Sequence, residues 1–335
     1  MHPALQGLMT IFIGVGGCVG YFYFSNQLLD KVLFPPRGPN AGRNINQANM
    51  IRPWLFLAPA MIALGLYLAY PVFETIRLSV TERIPGGGYK FVGLANYTQM
   101  LGEPKFWEGL KNNFLWLIIV PAFSTAFGLL AAQLTDRIRW GNIAKSLIFM
   151  PMAISFVGAA VIWKLVYDTR PVDQDQIGVL NAIYLAFGGD EPQQWLTIPL
   201  WNSFFLMAVL IWIQTGFAMV ILSAALRGIP EETIEAAIVD GANPMQVFFK
   251  IKAPQIIPTI VVVWTTITIV VLKVFDIVYA MTNGQWETQV LANYMYDKMF
   301  RANDWGVGSA SAMVIMLLVT PILVWNVYSA RKEMR

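Results

Sequence analysis

Charge is what this sequence most lacks. Of its 335 residues only 13% are Asp, Glu, Lys or Arg, while 56% are hydrophobic and the mean hydropathy is +0.54. A soluble globule needs charge on about a quarter of its residues to cover its surface, so an ordinary water-facing shell is excluded. Cysteine is down to Cys18, inside an apolar run, so the chain can form no internal disulfide and no thiol metal site. Histidine is down to His2, which removes histidine acid–base catalysis and most zinc sites. No Gly-x-x-x-x-Gly-Lys-Ser/Thr stretch occurs, so the usual phosphate cradle for ATP is missing from this chain. A formal net charge of +3 gives no footprint for nucleic acid.

What the chain has in quantity is apolar runs. A helix rising about 1.5 Å per residue needs about 20 apolar residues to cross the hydrocarbon core. Seven runs qualify, near 5–24, 53–73, 112–134, 145–167, 200–223, 255–280 and 311–330. They predict an all-α membrane protein of seven transmembrane helices. Residues 1–52 would be an extra amino-terminal helix with its linker, and 53–335 a six-helix core. The first run has no basic n-region and no small-x-small cleavage site, so it reads as a retained helix rather than a signal peptide. Gly16 and Gly20 give it a small-xxx-small spacing that could seat a neighbour. Pro151 interrupts the fourth run, and Lys164 with Tyr167 at its end can reach an interface.

Orientation follows from where lysine and arginine collect. Segments 25–52, 135–145, 224–254 and the tail hold thirteen basic residues, among them Arg52, Arg137, Lys145, Arg227, Arg331, Lys332 and Arg335. The alternate segments hold eight basic and twelve acidic residues, against seven acidic on the first side. The first set is therefore expected in the cytoplasm, with the amino terminus outside and the carboxyl terminus inside. The 74–111 loop, with five basic residues, runs against the count.

The loop at 230–258 carries the most specific pattern. Pro230 suits a first helical turn, and Glu231 and Glu232 favour its positive end. Asp240-Gly241 ends that helix with a residue free to take positive φ, and Asn243-Pro244 starts another as cap and first residue. Ala236 and Ala237 leave a smooth face, Phe248, Phe249 and Ile251 an apolar wedge, and Pro254 and Pro258 set the angle into the next span. From spacing alone, the loop fits either an amphipathic connector or a docking element.

The residues Glu235-Ala236-Ala237-x-x-Asp240-Gly241-Ala242, followed by Phe248, Ile251, Pro254 and Pro258, closely resemble the EAA loop of ABC-importer permeases. In that family the short helix sits in a groove of the nucleotide-binding subunit. Ala253 departs from the leucine often found there. Trp54-Leu-Phe-Leu-Ala-Pro59, the stretch 91–97, Phe149-Met-Pro151, Phe275-Asp276 and Thr282-Asn-Gly284 resemble the carbohydrate-uptake branch typified by maltose permeases. Tyr21-Phe-Tyr-Phe-Ser, Pro36-Arg-Gly-Pro and Ile51-Arg-Pro-Trp resemble α-glucoside permeases with an extra first helix.

The resemblance implies a multi-pass protein of the bacterial inner membrane that carries no cofactor and is not itself an enzyme. ATP and Mg would be bound by a partner ATP-binding subunit dimer. A second, related permease and an extracytoplasmic sugar-binding protein would complete the importer, with sucrose, maltose, trehalose or glucosylglycerol as cargo. Glu235, Ala236, Ala237, Asp240 and Gly241, with Ala242, Phe248 and Ile251, would carry the ATPase contact. The positions that contact sugar in maltose permeases fall at Leu210, Gln214, Phe217, Ile267, Val270, Val271 and Val274, of which Gln214 and Phe217 keep suitable chemistry. Trp212, Trp264, Thr265 and Thr268 lie close by as further candidates.

Lys273 and Asp276 are charges inside the sixth run at i, i+3 spacing, expected on one face of its helix. They either neutralise each other, or partners on neighbouring helices, or relay protons, and the last would make the chain an ion-coupled secondary transporter. A seven-helix retinal protein would need a lysine in the last run, 311–330, which has none. A membrane enzyme would need a cluster of His, Cys and carboxylates that this sequence does not offer.

Overall fold

The computed structural model describes residues 3–136 and 138–333. His2, Arg137 and Arg335, used above, lie outside the described residues, as do the side chains of Arg331 and Lys332. The chain forms two compact units, Met1–Glu74 and Thr75–Arg335.

In the first unit, α1 (Pro3–Gln27) runs into a wide π-helical turn at Leu28–Leu33. The irregular linker that follows contains Pro35, Pro36, Pro39 and Gly38 at φ +83°. Next comes α2 (Ala41–Leu64), a second wide turn at Gly65–Ala69, and α3 (Tyr70–Ser79), within which the boundary between units falls. This boundary lies beyond residue 52 because α2 pairs with α1. The Tyr21 hydroxyl donates to Leu55 O at 2.9 Å, the rings of Phe22 and Phe56 stack at 4.5 Å, and Arg52 pairs with Asp30 at 2.6 Å. Gly16 and Gly20 are not the seat of that pairing, since a Cβ built on either meets no atom within 4 Å. Most remaining apolar side chains of α1 and α2 are exposed, which hydrocarbon tolerates and water would not.

The second unit opens with a short hairpin, β1 (Thr81–Arg83) antiparallel to β2 (Tyr89–Phe91), turned by Gly86, Gly87 and Gly88 at positive φ. Then follow α4 (Ala95–Gly102), α5 (Pro104–Thr135), α6 (Gly141–Phe149), α7 (Phe156–Val166) and α8 (Val179–Ala186). The chain continues through α9 (Trp201–Arg227), α10 (Glu231–Val239), α11 (Pro244–Gln246), α12 (Ala253–Gln255) and α13 (Ile257–Leu272). It ends with α14 (Asp276–Met281), α15 (Leu291–Tyr296) and α16 (Trp305–Glu333).

The described residues hold five helices long and apolar enough to cross a membrane, or seven when each of two bent pairs is one span. One pair, 141–153 and 156–166, bends by 105° after Pro151; the other, 244–255 and 257–272, bends by 69° between Pro254 and Pro258. The most apolar window of α9 is 56% buried, against 33% for the span containing α5, so α9 is the central helix of this unit. It packs closest on α5. A Cβ on Gly128 would stand 2.4 Å from Ala218 Cβ and 2.8 Å from Met219 N, so only glycine lets the two backbones approach this far. Trp116, Leu206, Leu210, Met219, Leu222 and Ile267 fill the surrounding core.

The sixth run is shorter than expected. Its helix stops at Leu272, and Lys273 and Asp276 do not share a helix face. Lys273 is the C-terminal cap of α13, where the helix dipole is negative, and Asp276 is the first residue of α14, where it is positive. Breaking the helix thus gives each charge a favourable helix end, which a continuous span could not. Lys164 reaches back to Ala280 O at 3.4 Å.

Candidate functional site: the docking loop and the central cavity

The loop after α9 is built from two capped helices. α10 ends in a Schellman turn: Ala242 N donates to Ala237 O at 2.9 Å and Gly241 N to Ile238 O at 3.0 Å, with Gly241 at φ +85°. Asn243 then caps α11 in a reciprocal box, its Oδ1 accepting from Gln246 N and Gln246 Oε1 accepting from Asn243 N, both at 2.9 Å. These two devices hold a sharp corner in a segment with little core of its own.

Glu231, Glu232, Glu235, Ala236 and Asp240 are exposed, whereas Ala237 is buried and Ala242 half-buried. Consecutive helical residues point about 100° apart, so the paired alanines do not form one outward face. The apolar part of the surface comes instead from Ile238 (58% exposed), Val239 (85%), Met245 (66%) and Phe249 (61%). Phe248 and Ile251 are half-buried. The loop thus exposes four large apolar side chains together with four carboxylates, a mixture that suits a protein-binding surface. Ile238, Val239 and Met245 escaped sequence reasoning; their signal was apolar side chains continuing past the point where an amphipathic helix should turn polar.

At the root of the loop, Asp136 just past the end of α5 gathers three partners. Arg227, the last residue of α9, donates to its Oδ1 from Nε at 3.0 Å and Nη2 at 2.9 Å. Ser223 Oγ donates to its carboxylate at 3.2 Å, and Lys145 of α6 donates to Asp136 and to Ser223 Oγ. Partial burial raises the Asp136 pKa, but the hydrogen bonds and charges of Lys145 and Arg227 outweigh it and hold the carboxyl below its usual 3.8. Sequence reasoning passed over Asp136, although it is the lone acid in a basic segment.

The second feature is a cavity of about 360 Å³ where the break between α6 and α7 faces α9 and α13, lined by Ile154, Ser155, Phe156, Gln214, Phe217 and Thr266, among others. The Ser155 hydroxyl caps α7, accepting from Gly158 N at 3.1 Å and keeping its own proton to donate, and Thr266 Oγ1 donates to Val262 O at 2.7 Å. Gln214 is different. It is 6% exposed and lines the cavity, and among the described residues its amide makes no side-chain hydrogen bond, so both a donor and an acceptor remain available there. Phe156 and Val270 also line a smaller void of about 140 Å³, closed by Lys273, Phe275 and Asp276.

Residues 124–334 match the family described as the binding-protein-dependent transport system inner membrane component. The chain is a member of that family. The permease is 62% identical over 99% of both chains to the alpha-glucoside transport system permease protein AglF of Rhizobium meliloti (strain 1021). It is 46% identical to the osmoprotective compounds uptake permease protein GgtC of Synechocystis sp., over 84% of this chain and all of that one. A bacterial alginate ABC transporter solved in complex with its pentasaccharide-bound periplasmic protein shares the fold, with TM-score 0.72, 20% identity, and 88% of this chain and 99% of that one covered.

Of the permease's expected path residues, Gln214 and Phe217 reach the cavity and four do not. Trp212 packs edge-on against Trp163 at 5.7 Å, and Trp264 is 39% exposed away from it. Thr265 and Thr268 return their hydroxyls to Val261 O and Trp264 O at 2.9 and 2.8 Å, the common fate of a helical threonine in a membrane. Leu210, Ile267, Val271 and Val274 belong to the packed core. Ser155 and Thr266 escaped sequence reasoning, because the bend that brings the first to the cavity depends on a 105° angle that Pro151 signals but does not measure.

Proposed function

We propose that this permease forms, with a second related permease, the path of an ATP-driven importer for α-glucosides or a glucosylated osmolyte. The observation that carries the cargo is the 62% identity over 99% of both chains to a relative named as an alpha-glucoside permease. The path is a mostly apolar cavity in which Gln214 offers both a donor and an acceptor beside the Phe217 ring, the pairing of amide and aromatic that suits a sugar. Gln214, not the neighbouring tryptophans and threonines, is the residue that bonds cargo hydroxyls.

ATP and Mg are bound by a partner ATPase dimer. The loop with its Glu231, Glu232, Glu235 and Asp240 docks in a groove whose basic residues answer those carboxylates. This puts the loop and the carboxyl terminus in the cytoplasm and the amino terminus outside. An extracytoplasmic binding protein delivers the sugar to the opposite side. ATP closes the ATPase dimer, the loop follows as a rigid element, and the spans rock around the cavity.

Reconstitution in proteoliposomes with the partner permease, the ATPase and the binding protein tests the reading. ATP-dependent accumulation of maltose or sucrose, absent when the ATPase is omitted, is the expected result. Uptake driven by an ion gradient without the ATPase would overturn the mechanism, and ATP-dependent uptake confined to unrelated sugars would overturn the cargo.

A further inference from the structure

We propose that Asp136 is a positioning residue that couples the docking loop to the wall of the central cavity, by locking the ends of α5, α6 and α9 into one body. This rests on the reading of the 230–258 loop as the ATPase contact.

The geometry runs in one line. Arg227 closes α9 and lies three residues before the cap of α10, so it stands at the root of the loop. Asp136 accepts two bonds from Arg227, at 3.0 and 2.9 Å, and also holds Lys145 of α6, which is 14% exposed. Four residues beyond Lys145, α6 gives way to the segment whose Met152, Ile154 and Ser155 wall the cavity. α6 cannot slide independently on α9 in between. A Cβ on Gly216 would stand 2.6 Å from Ile148 O and 2.9 Å from Phe149 Cα, so the two backbones are in contact there. A push on the loop root therefore reaches the bend at 150–155 through a carboxylate joint and a backbone contact. Without the carboxylate, Lys145 and Arg227 meet at the joint as like charges and drive α6 from α9.

The test uses the complete complex in proteoliposomes, with uptake and ATP hydrolysis measured together. Asp136→Asn keeps the size and removes the charge. It is expected to leave binding-protein-stimulated hydrolysis in place while sugar moved per ATP falls roughly five- to tenfold, the lower end of a typical coupling energy. Asp136→Glu should restore most of that ratio. If Asp136→Asn lowers uptake and hydrolysis in equal proportion, or changes neither, the joint does not transmit and the proposal is overturned. If Asp136→Asn fails to assemble, Arg227→Gln removes the guanidinium charge and its paired bonds from a side chain 59% exposed, and an unchanged ratio there overturns it equally. ATPase retention on Gly241→Val reports separately on the underlying loop reading: retained ATPase would sink that reading, whatever the Asp136 variants do.

Discussion

At Gly128 one methyl group separates glycine from alanine, and the structure has no room for it: the added carbon would meet a neighbouring Cβ at 2.4 Å. The atoms it would meet belong to Ala218 and the Met219 backbone, with no flexible end to yield, so the helices must part. Overpacking of this kind costs typically about 1–3 kcal/mol. Gly128→Ala should lower the melting temperature of the purified permease in detergent by a few degrees, and Gly128→Leu should prevent its accumulation. Gln214 calls for a different measurement because the role proposed for it lies in binding cargo rather than in holding the fold. Two hydrogen bonds worth about 1 kcal/mol each amount to about thirtyfold in affinity. Gln214→Leu should raise the sugar concentration for half-maximal uptake by about that factor while leaving ATPase association intact; an unchanged concentration dependence would remove Gln214 from the path. The ion pairs of Asp136 are insensitive to physiological pH. Its carboxyl is held below 3.8, so its contribution to stability is complete above that value and is lost only as pH falls through the lowered pKa. Melting temperatures of the wild type minus those of Asp136→Asn should therefore be constant between about pH 5 and 7.

The elements were legible where one local signal decided them. The Asp240-Gly241 pair and the Asn243-Pro244 start sit where the sequence places them, and Pro230 falls one position earlier, as the cap of α10 rather than in its first turn, because caps depend on a few adjacent residues. The seven apolar runs were legible for the same reason, since hydropathy is summed along the chain. The break after Leu272 was not: the run stays apolar across it, and the two charges that mark it could equally have faced each other on one helix. The cavity was half legible, through Gln214 and Phe217 but not Ser155 or Thr266, because which side of a helix meets another is decided by packing between distant segments. The Schellman turn allows a sharp test of element against residue. At φ +85° with nothing within 4 Å of a built Cβ, Gly241 is required for its backbone freedom and not for space. A side chain there costs roughly 1–2 kcal/mol in the left-handed region, least for asparagine and most for a β-branched residue. Gly241→Asn should keep the ATPase on the affinity-purified permease and Gly241→Val should lose it. Equal retention by both would mean that the corner is not what the partner recognises.

For the whole molecule, which way the spans run turns on where charge collects, and the structure bears on the five basic residues at 74–111 that oppose the count. Arg77 lies over the Tyr89 ring at 4.7 Å and Lys105 pairs with Glu108 at 2.8 Å, so two of the five are held by neighbours once the chain is folded. Across the same side, Lys298 pairs with Glu103 at 2.5 Å and Arg301 with Asp297 at 3.1 Å. The sequence itself supplies the means to test the orientation, because Cys18 is its one cysteine and Cys18→Ser leaves a thiol-free background. Val239 on the docking loop is 85% exposed and Phe187 in the 168–199 loop is 89% exposed, so a cysteine at either is open to reagent on its own side of the membrane. In intact spheroplasts a membrane-impermeant maleimide should label Phe187→Cys and spare Val239→Cys. In inverted vesicles that lack the ATPase the pattern should reverse, and adding the ATPase back should protect Val239→Cys. Labelling of Val239→Cys from outside would invert the topology and, with it, the placement of the ATPase.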